Sequence, residues 1–156
     1  MTSRVAHVAI STPDLARAVA FWQQVGFSVI REWSWPAGVD RINTTLGLAD
    51  SAADAALLRL DGFELELFEF SVPQEPPRTD LRPSQPGYTH IALEVSDLDA
   101  ELARLSEAGL QRWADPVRTP GGRRVVYVRD PDGNLVELVE RQTIPDGSEV
   151  DEADRV

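Results

Sequence analysis

The 156-residue chain contains two histidines, His7 and His90, and no cysteine. Without thiolates, sulfur nucleophiles and disulfides are excluded, and His, Asp and Glu are the strong metal donors that remain. The two histidines open matching strings. His7-Val8-Ala9-Ile10 is followed by Asp14-Leu15 and Gly26-Phe27, and His90-Ile91-Ala92-Leu93 by Asp97-Leu98 and Gly109-Leu110, every position displaced by the same 83 residues. Each copy then reaches an Asp-Gly pair and a glutamate, Asp61-Gly62 before Glu66 and Asp132-Gly133 before Glu137. Two imidazoles and two carboxylates converging from rigid elements suit one divalent ion: zinc, nickel, cobalt, iron or manganese. The expected ligand set is His7, Glu66, His90 and Glu137.

The repeat also says which elements must hold these groups. Each half reads as strand, helix and three strands. Residues 5–10 form a short apolar run of strand length, and Leu15, Ala18, Val19, Trp22 and Val25 recur at helical spacing. Thr12 or Asp14 caps that helix and Gly26 ends it. In the second half 90–95 is strand-like, Ser96 or Asp97 caps, Leu98, Leu102 and Leu105 mark the helix face, and Gly109 stops it. The remaining strands are expected at 27–33, 56–60 and 63–70, then at 111–117, 124–129 and 135–141, with the Asp-Gly pairs as tight turns.

Strand side chains alternate, so Glu66 shares a face with Glu64, Phe68 and Phe70, and Glu137 with Val139. A carboxylate in the middle of an apolar strand is costly unless paired or ligated. Glu64, Glu69 and Glu140 are read as facing solvent. Trp33, Trp35, Phe68 and Phe70 supply either an apolar pocket wall or plain core, with Trp35 the chosen substrate contact. Arg41, Arg123 and Arg124 are either solvated or hold an anionic substrate group, and Arg124 is the one selected.

Composition narrows the partners. Fifteen Lys and Arg against 26 Asp and Glu give a net charge of −11, which repels phosphate backbones and anionic lipid surfaces. A small-molecule substrate is expected, with no nucleic acid and no membrane. The opening apolar run is too short for a secretion signal, so the expected location is cytoplasmic. Residues 1–141 read as a single domain: module one at 4–70, a connection at 71–87 with five prolines, and module two at 88–141. Residues 142–156, with five acids and one arginine, read as a mobile acidic tail. Modules of about 70 residues bury little core alone, so they are expected to lean on each other or on a second chain.

These features resemble the vicinal oxygen chelate superfamily, which includes glyoxalase I, methylmalonyl-CoA epimerase, extradiol dioxygenases, and fosfomycin and bleomycin resistance proteins. The likeness runs from Arg4 to Arg141, and its most specific stretch is Tyr127-Val128-Arg129-Asp130-Pro131-Asp132-Gly133-Asn134-Leu135-Val136-Glu137-Leu138. His90 in Gly87-Tyr88-Thr89-His90 looks like the second-module metal histidine and His7 like the first. Glu66 falls where four-ligand members such as glyoxalase I place a glutamate. The resemblance implies an α+β fold, two tandem βαβββ modules forming a curled mixed sheet around a central site, and a homodimer.

It also implies a metal-dependent lyase or isomerase of the lactoylglutathione lyase type. One divalent ion would polarise two neighbouring substrate oxygens and stabilise an enediolate, with Glu137 first, or Glu66, as the base. Two alternatives stand beside it. An iron-dependent extradiol-type dioxygenase is similar in its tyrosine at the position of Tyr127, but that pattern uses a third histidine, which this chain lacks. Tyr127 is accordingly a substrate-contact candidate. A metal-free, drug-binding resistance protein would have lost the ligands, and here all four are present.

Overall fold

The computed structural model describes residues 3–77 and 82–142. The fold is α+β, and the chain divides into two compact units, Met1–Pro77 and Arg78–Val156, each with one open mixed sheet. Of the expected 71–87 connection, the first two residues belong to a strand and 78–81 lie outside the described residues. The expected tail lies outside them from 143 onward.

The first unit runs β1 (Val8–Ser11), α1 (Leu15–Val25), β2 (Ser28–Trp35), α2 (Asp40–Leu46), β3 (Ala52–Leu60) and β4 (Phe63–Val72). Its strand order is β1-β4-β3-β2, with β1 parallel to β4 and the other neighbours antiparallel. Asp14 starts α1 by accepting the Arg17 N–H at 2.9 Å. Gly26, at φ 116°, ends it in the left-handed region. Asp61 and Gly62 both take positive φ, as a two-residue hairpin turn matched to strand twist requires. Phe21 and Trp22 of α1 bury against the sheet side of Leu58, Leu65 and Leu67, each leucine fully inaccessible to solvent. Each such burial stabilises by about 1.5–3 kcal/mol before chain entropy is counted.

Two expectations change here. The opening strand starts at Val8, not Val5, so His7 is the residue just before it. A helix, α2, also occupies a stretch where none was expected. It is seven residues long, has no side-chain cap at its start, and is too short to show a helical period. Tertiary bonds hold it: the Trp35 indole N–H donates to Ser51 Oγ, which donates to Asn43 Oδ1 at 2.7 Å.

The second unit runs β5 (His90–Val95), α3 (Leu98–Glu107), β6 (Gln111–Arg112), β7 (Val117–Arg118), β8 (Arg124–Arg129) and β9 (Leu135–Glu140). Its order is β5-β9-β8-β6, and β7 also pairs with β8. The strand expected at 111–117 is broken in two. Pro116, between the pieces, has no N–H to give a ladder. Asp97 caps α3 by accepting the Ala100 N–H, and Leu98, Leu102 and Leu105 bury on that helix as Val126, Val128, Val136 and Leu138 do in the sheet. Between β8 and β9 the buried Asp130 carboxylate accepts the backbone N–H of Asp132 and of Asn134 and the Asn134 amide. Burial outweighs these bonds and holds its pKa above the ordinary value.

In each unit strand parity separates a helix-side face from an opposite face. Leu65, Leu67 and Glu69 stand on the first in one unit, and Val136, Leu138 and Glu140 in the other. Glu69 and Glu140 are therefore not the solvent-facing charges expected. Glu69 accepts the Leu15 N–H at 2.8 Å and Glu140 the Leu98 N–H at 3.0 Å, so each closes the first turn of its unit's helix. A carboxylate there contributes about 0.3–1 kcal/mol through the helix dipole. Glu64 pairs with Arg59 across the Asp61-Gly62 turn.

Candidate metal centre

The parallel pairing β1·β4 sets Ala9 opposite Glu66, and β5·β9 sets Ala92 opposite Glu137. The repeat is thus kept down to the residue register. His7 and His90 stand two residues before those alanines, and period-two alternation sends their side chains to the glutamate face. His7 Nε2 lies 3.3 Å from Glu66 Oε2, and His90 Nε2 lies 3.1 Å from Glu137 Oε2. Each unit by itself therefore presents one imidazole nitrogen and one carboxylate oxygen as a pair. Among the described residues no three His, Asp or Glu side chains gather into a metal-binding group.

The glutamates are the more telling members. Their side chains are only 15% and 19% exposed. Among the described residues neither carboxylate has a hydrogen-bond or ion-pair partner besides its histidine. A half-buried carboxylate normally gathers a cation or several N–H donors. Here one oxygen of each faces an imidazole nitrogen and the other is unspent. That donor chemistry, nitrogen plus oxygen twice over, fits a divalent transition metal.

The two pairs differ in what surrounds them. His90 Nδ1 lies 2.8 Å from Thr89 Oγ1; with Nε2–H donating to Glu137, Nδ1 accepts from the hydroxyl, and were Nε2 to ligate an ion, Nδ1–H would donate to the same oxygen, so the hydroxyl orients the ring in either state. Tyr127, opposite Glu137 in the β8·β9 register, packs edge-on against the His90 ring at 5.1 Å between centroids. Burial first, then the negative charge of Glu137, raise the Tyr127 pKa above 10.0. Its phenol stays protonated at neutral pH and is a hydrogen-bond donor rather than a base. Thr89 was not singled out by sequence, although its place beside a candidate ligand was a usable signal. Replacing it by Val is expected to weaken divalent-ion binding about 10–100-fold, read by competition titration with a chelating dye. Unchanged affinity would show that the hydroxyl does not orient the ring.

The three expected substrate contacts fall in different places. Tyr127 is on the Glu137 face. Trp35 shares the Glu66 face but is 7% exposed and sits in a cluster with Ala53, Ala55, Trp33, Ile42, Phe68 and Phe70. Arg124 has the parity of Val126 and lies on the helix-side face, tied to Asp99 of α3 and to Glu140. Its neighbour Arg123 has the opposite parity. It pairs with Glu94, which shares a face with His90, and its Nε is buried without a hydrogen-bond partner.

The family model "Glyoxalase/Bleomycin resistance protein/Dioxygenase superfamily" matches residues 4–138. A 2-epi-5-epi-valiolone epimerase from an Actinomyces species is 36% identical over 144 residues, covering 86% of this chain and 78% of that protein. The lactoylglutathione lyase of Haemophilus influenzae is 27% identical over 148 residues, covering 92% and 97%. Among solved structures, a glyoxalase family protein from Bacillus cereus superposes with a TM-score of 0.81 at 22% identity, over 90% of this chain and 95% of its own. With its repeated strand–helix–strand units, its two His–Glu pairs and a family match over nearly its whole described length, this chain belongs to the glyoxalase/bleomycin resistance/dioxygenase superfamily.

Proposed function

We propose that this chain is a metal-dependent lyase or isomerase that moves a proton on carbon next to a carbonyl group, with His7, Glu66, His90 and Glu137 together holding one divalent ion. The observation that carries the reading is the repeated pair: a half-buried glutamate whose only partner among the described residues is an imidazole nitrogen, once in each unit. When bound there, the ion would supply Lewis acidity towards two neighbouring substrate oxygens.

The chain's own groups account for the proton. Glu137 Oε2 faces His90, so Oε1 is available to take the proton from the carbon beside the carbonyl, while the bond's electron pair moves onto the carbonyl oxygen. Val139 and Val125, paired across β8·β9, have the strand parity of Glu137 and make the neighbouring row on its face apolar. The Tyr127 phenol offers its hydrogen to oxygen. Return of the proton to the neighbouring carbon isomerises the substrate, and return to the same carbon from the other side inverts it. Glu66 is the second carboxylate for that return. Both outcomes suit the relatives, one named an epimerase and one a lyase. We read the chain as a homodimer acting on a small molecule.

The deciding experiment loads the protein with manganese, nickel, zinc or iron and offers α-hydroxycarbonyl compounds in D2O. Enzyme-dependent wash-in of deuterium at the carbon beside the carbonyl, seen by proton NMR, supports the reading. Oxygen consumption with iron and a catechol, without wash-in, would replace it by the dioxygenase reading, which Tyr127 beside His90 favours.

A further inference from the structure

The Glu66 face carries a cation that the proton-transfer reading does not use. Three strands contribute to that face. The registers place Glu66 opposite Leu57, and Leu57 opposite Arg31. One residue row thus runs from the candidate ligand through an apolar side chain to an arginine two strands away. At about 4.8 Å per strand the backbones of Glu66 and Arg31 are about 10 Å apart. An irregularity between Val29 and Arg31 shifts the register by one. Without it Arg31 would fall on the helix-side face.

The guanidinium is held in place without being neutralised. Its central carbon lies 4.4 Å from the centroid of the Trp33 ring, and Trp33 packs against the aromatic cluster through Phe68. Contact with the ring face holds the guanidinium by cation–π attraction and uses none of its N–H donors. Among the described residues no carboxylate lies within ion-pair distance of Arg31, whereas Arg59, Arg104, Arg112, Arg123, Arg124 and Arg141 each have an acidic partner. In a chain of net charge −11, an unneutralised arginine seated on an aromatic ring on the candidate site's own row has the chemistry to receive an oxyanion.

We propose that Arg31, seated on Trp33, binds an anionic group of the substrate. The substrate is then a carbonyl compound with a carboxylate or phosphate separated from the reacting carbons by a short carbon chain or ring, which lies over Leu57. The proposal rests on the reading that the Glu66 face is the reaction face.

The test titrates inorganic phosphate and, separately, acetate into the full chain, following the arginine Nε–H and tryptophan indole resonances by 1H–15N NMR. Saturable shifts of the Arg31 and Trp33 signals are expected, with at least roughly tenfold weaker binding in Arg31→Ala and partial retention in Arg31→Lys. Saturation by phosphate alone identifies a phosphate ester, by acetate alone a carboxylate, and by both a general oxyanion site. Binding unchanged in Arg31→Ala, or no saturation by either ion, overturns the proposal. The same titration on His7→Ala separates the two readings: Arg31 still responds there if the subsite is its own, and a response lost in His7→Ala but kept in Arg31→Ala shows the anion sitting at the His–Glu pair. Metal uptake by Arg31→Ala is expected to equal that of the parent chain. If the parent takes up no metal, the reaction reading fails while the phosphate titration still decides Arg31.

Discussion

After loading and desalting, the chain is expected to retain about one divalent ion, and His7→Ala and His90→Ala are each expected to lose it, by elemental mass spectrometry. The argument is one of donor number. A single His–Glu pair offers two protein donors, which bind a divalent ion weakly, whereas both pairs together give the four-donor set of tight sites. Removing one imidazole also leaves its glutamate without its only partner among the described residues. The expected loss therefore exceeds the roughly 10–100-fold cost of disturbing an outer partner such as Thr89. Mixing His7→Ala with His90→Ala tests where the pairs come from. Recovery of metal in the mixture means that two copies share the site, and no recovery means that one chain supplies it. Retention of metal in Glu66→Gln with loss in His7→Ala would reduce the set to three ligands. A parent chain that takes up no metal under any loading condition would leave the family's binding proteins as the better model.

That experiment bears on the part of the molecule that sequence displayed most openly. The His–Glu pairs were legible because a repeat prints each position twice, so that His90 and Glu137 point to His7 and Glu66. The Asp-Gly turns and the caps Asp14 and Asp97 were legible because their chemistry is local. Glu69 and Glu140 were equally repeated, each three residues after a candidate ligand, and the parity that put Glu66 on one face put them on the other. What sequence did not show was that each carboxylate lies under the start of a helix more than forty residues away in the chain. Such contacts belong to packing and leave no short-range pattern.

The same limit explains the other differences. Nothing near Asp40 announces α2, because a Trp35–Ser51–Asn43 bond network rather than a cap or a period holds it. Arg123 and Arg124 are adjacent, and nothing in the sequence separates them until the faces of Val126 and Tyr127 are known. Arg31 is hidden in the sequence for a related reason: counting residues along a regular strand misplaces it, and only the shifted register brings it onto the row of Glu66.

Glu137→Gln is expected to keep the fold and the metal set while turnover falls about 10²–10⁴-fold. The side chain stays the same size, and Val136 and Leu138 on either side remain buried in the sheet, so thermal unfolding should be little changed. The amide oxygen can still face His90 and an ion, but the group has no basicity towards a carbon-bound proton. The loss should therefore fall on kcat and on deuterium wash-in, with KM nearly constant. Glu66→Gln is the matched control. If Glu66 only returns the proton, wash-in should persist there while net conversion slows, because the first proton is still removed by Glu137. If Glu66 is the first base, the two variants exchange behaviour, and the order of the carboxylates is reversed. Turnover at the parental rate in both would remove carboxylate-driven proton transfer from this site, whatever ion it binds. Loss of metal together with activity in Glu137→Gln would show that its role is ligation, and Glu66 would then be the remaining carboxylate able to take the proton.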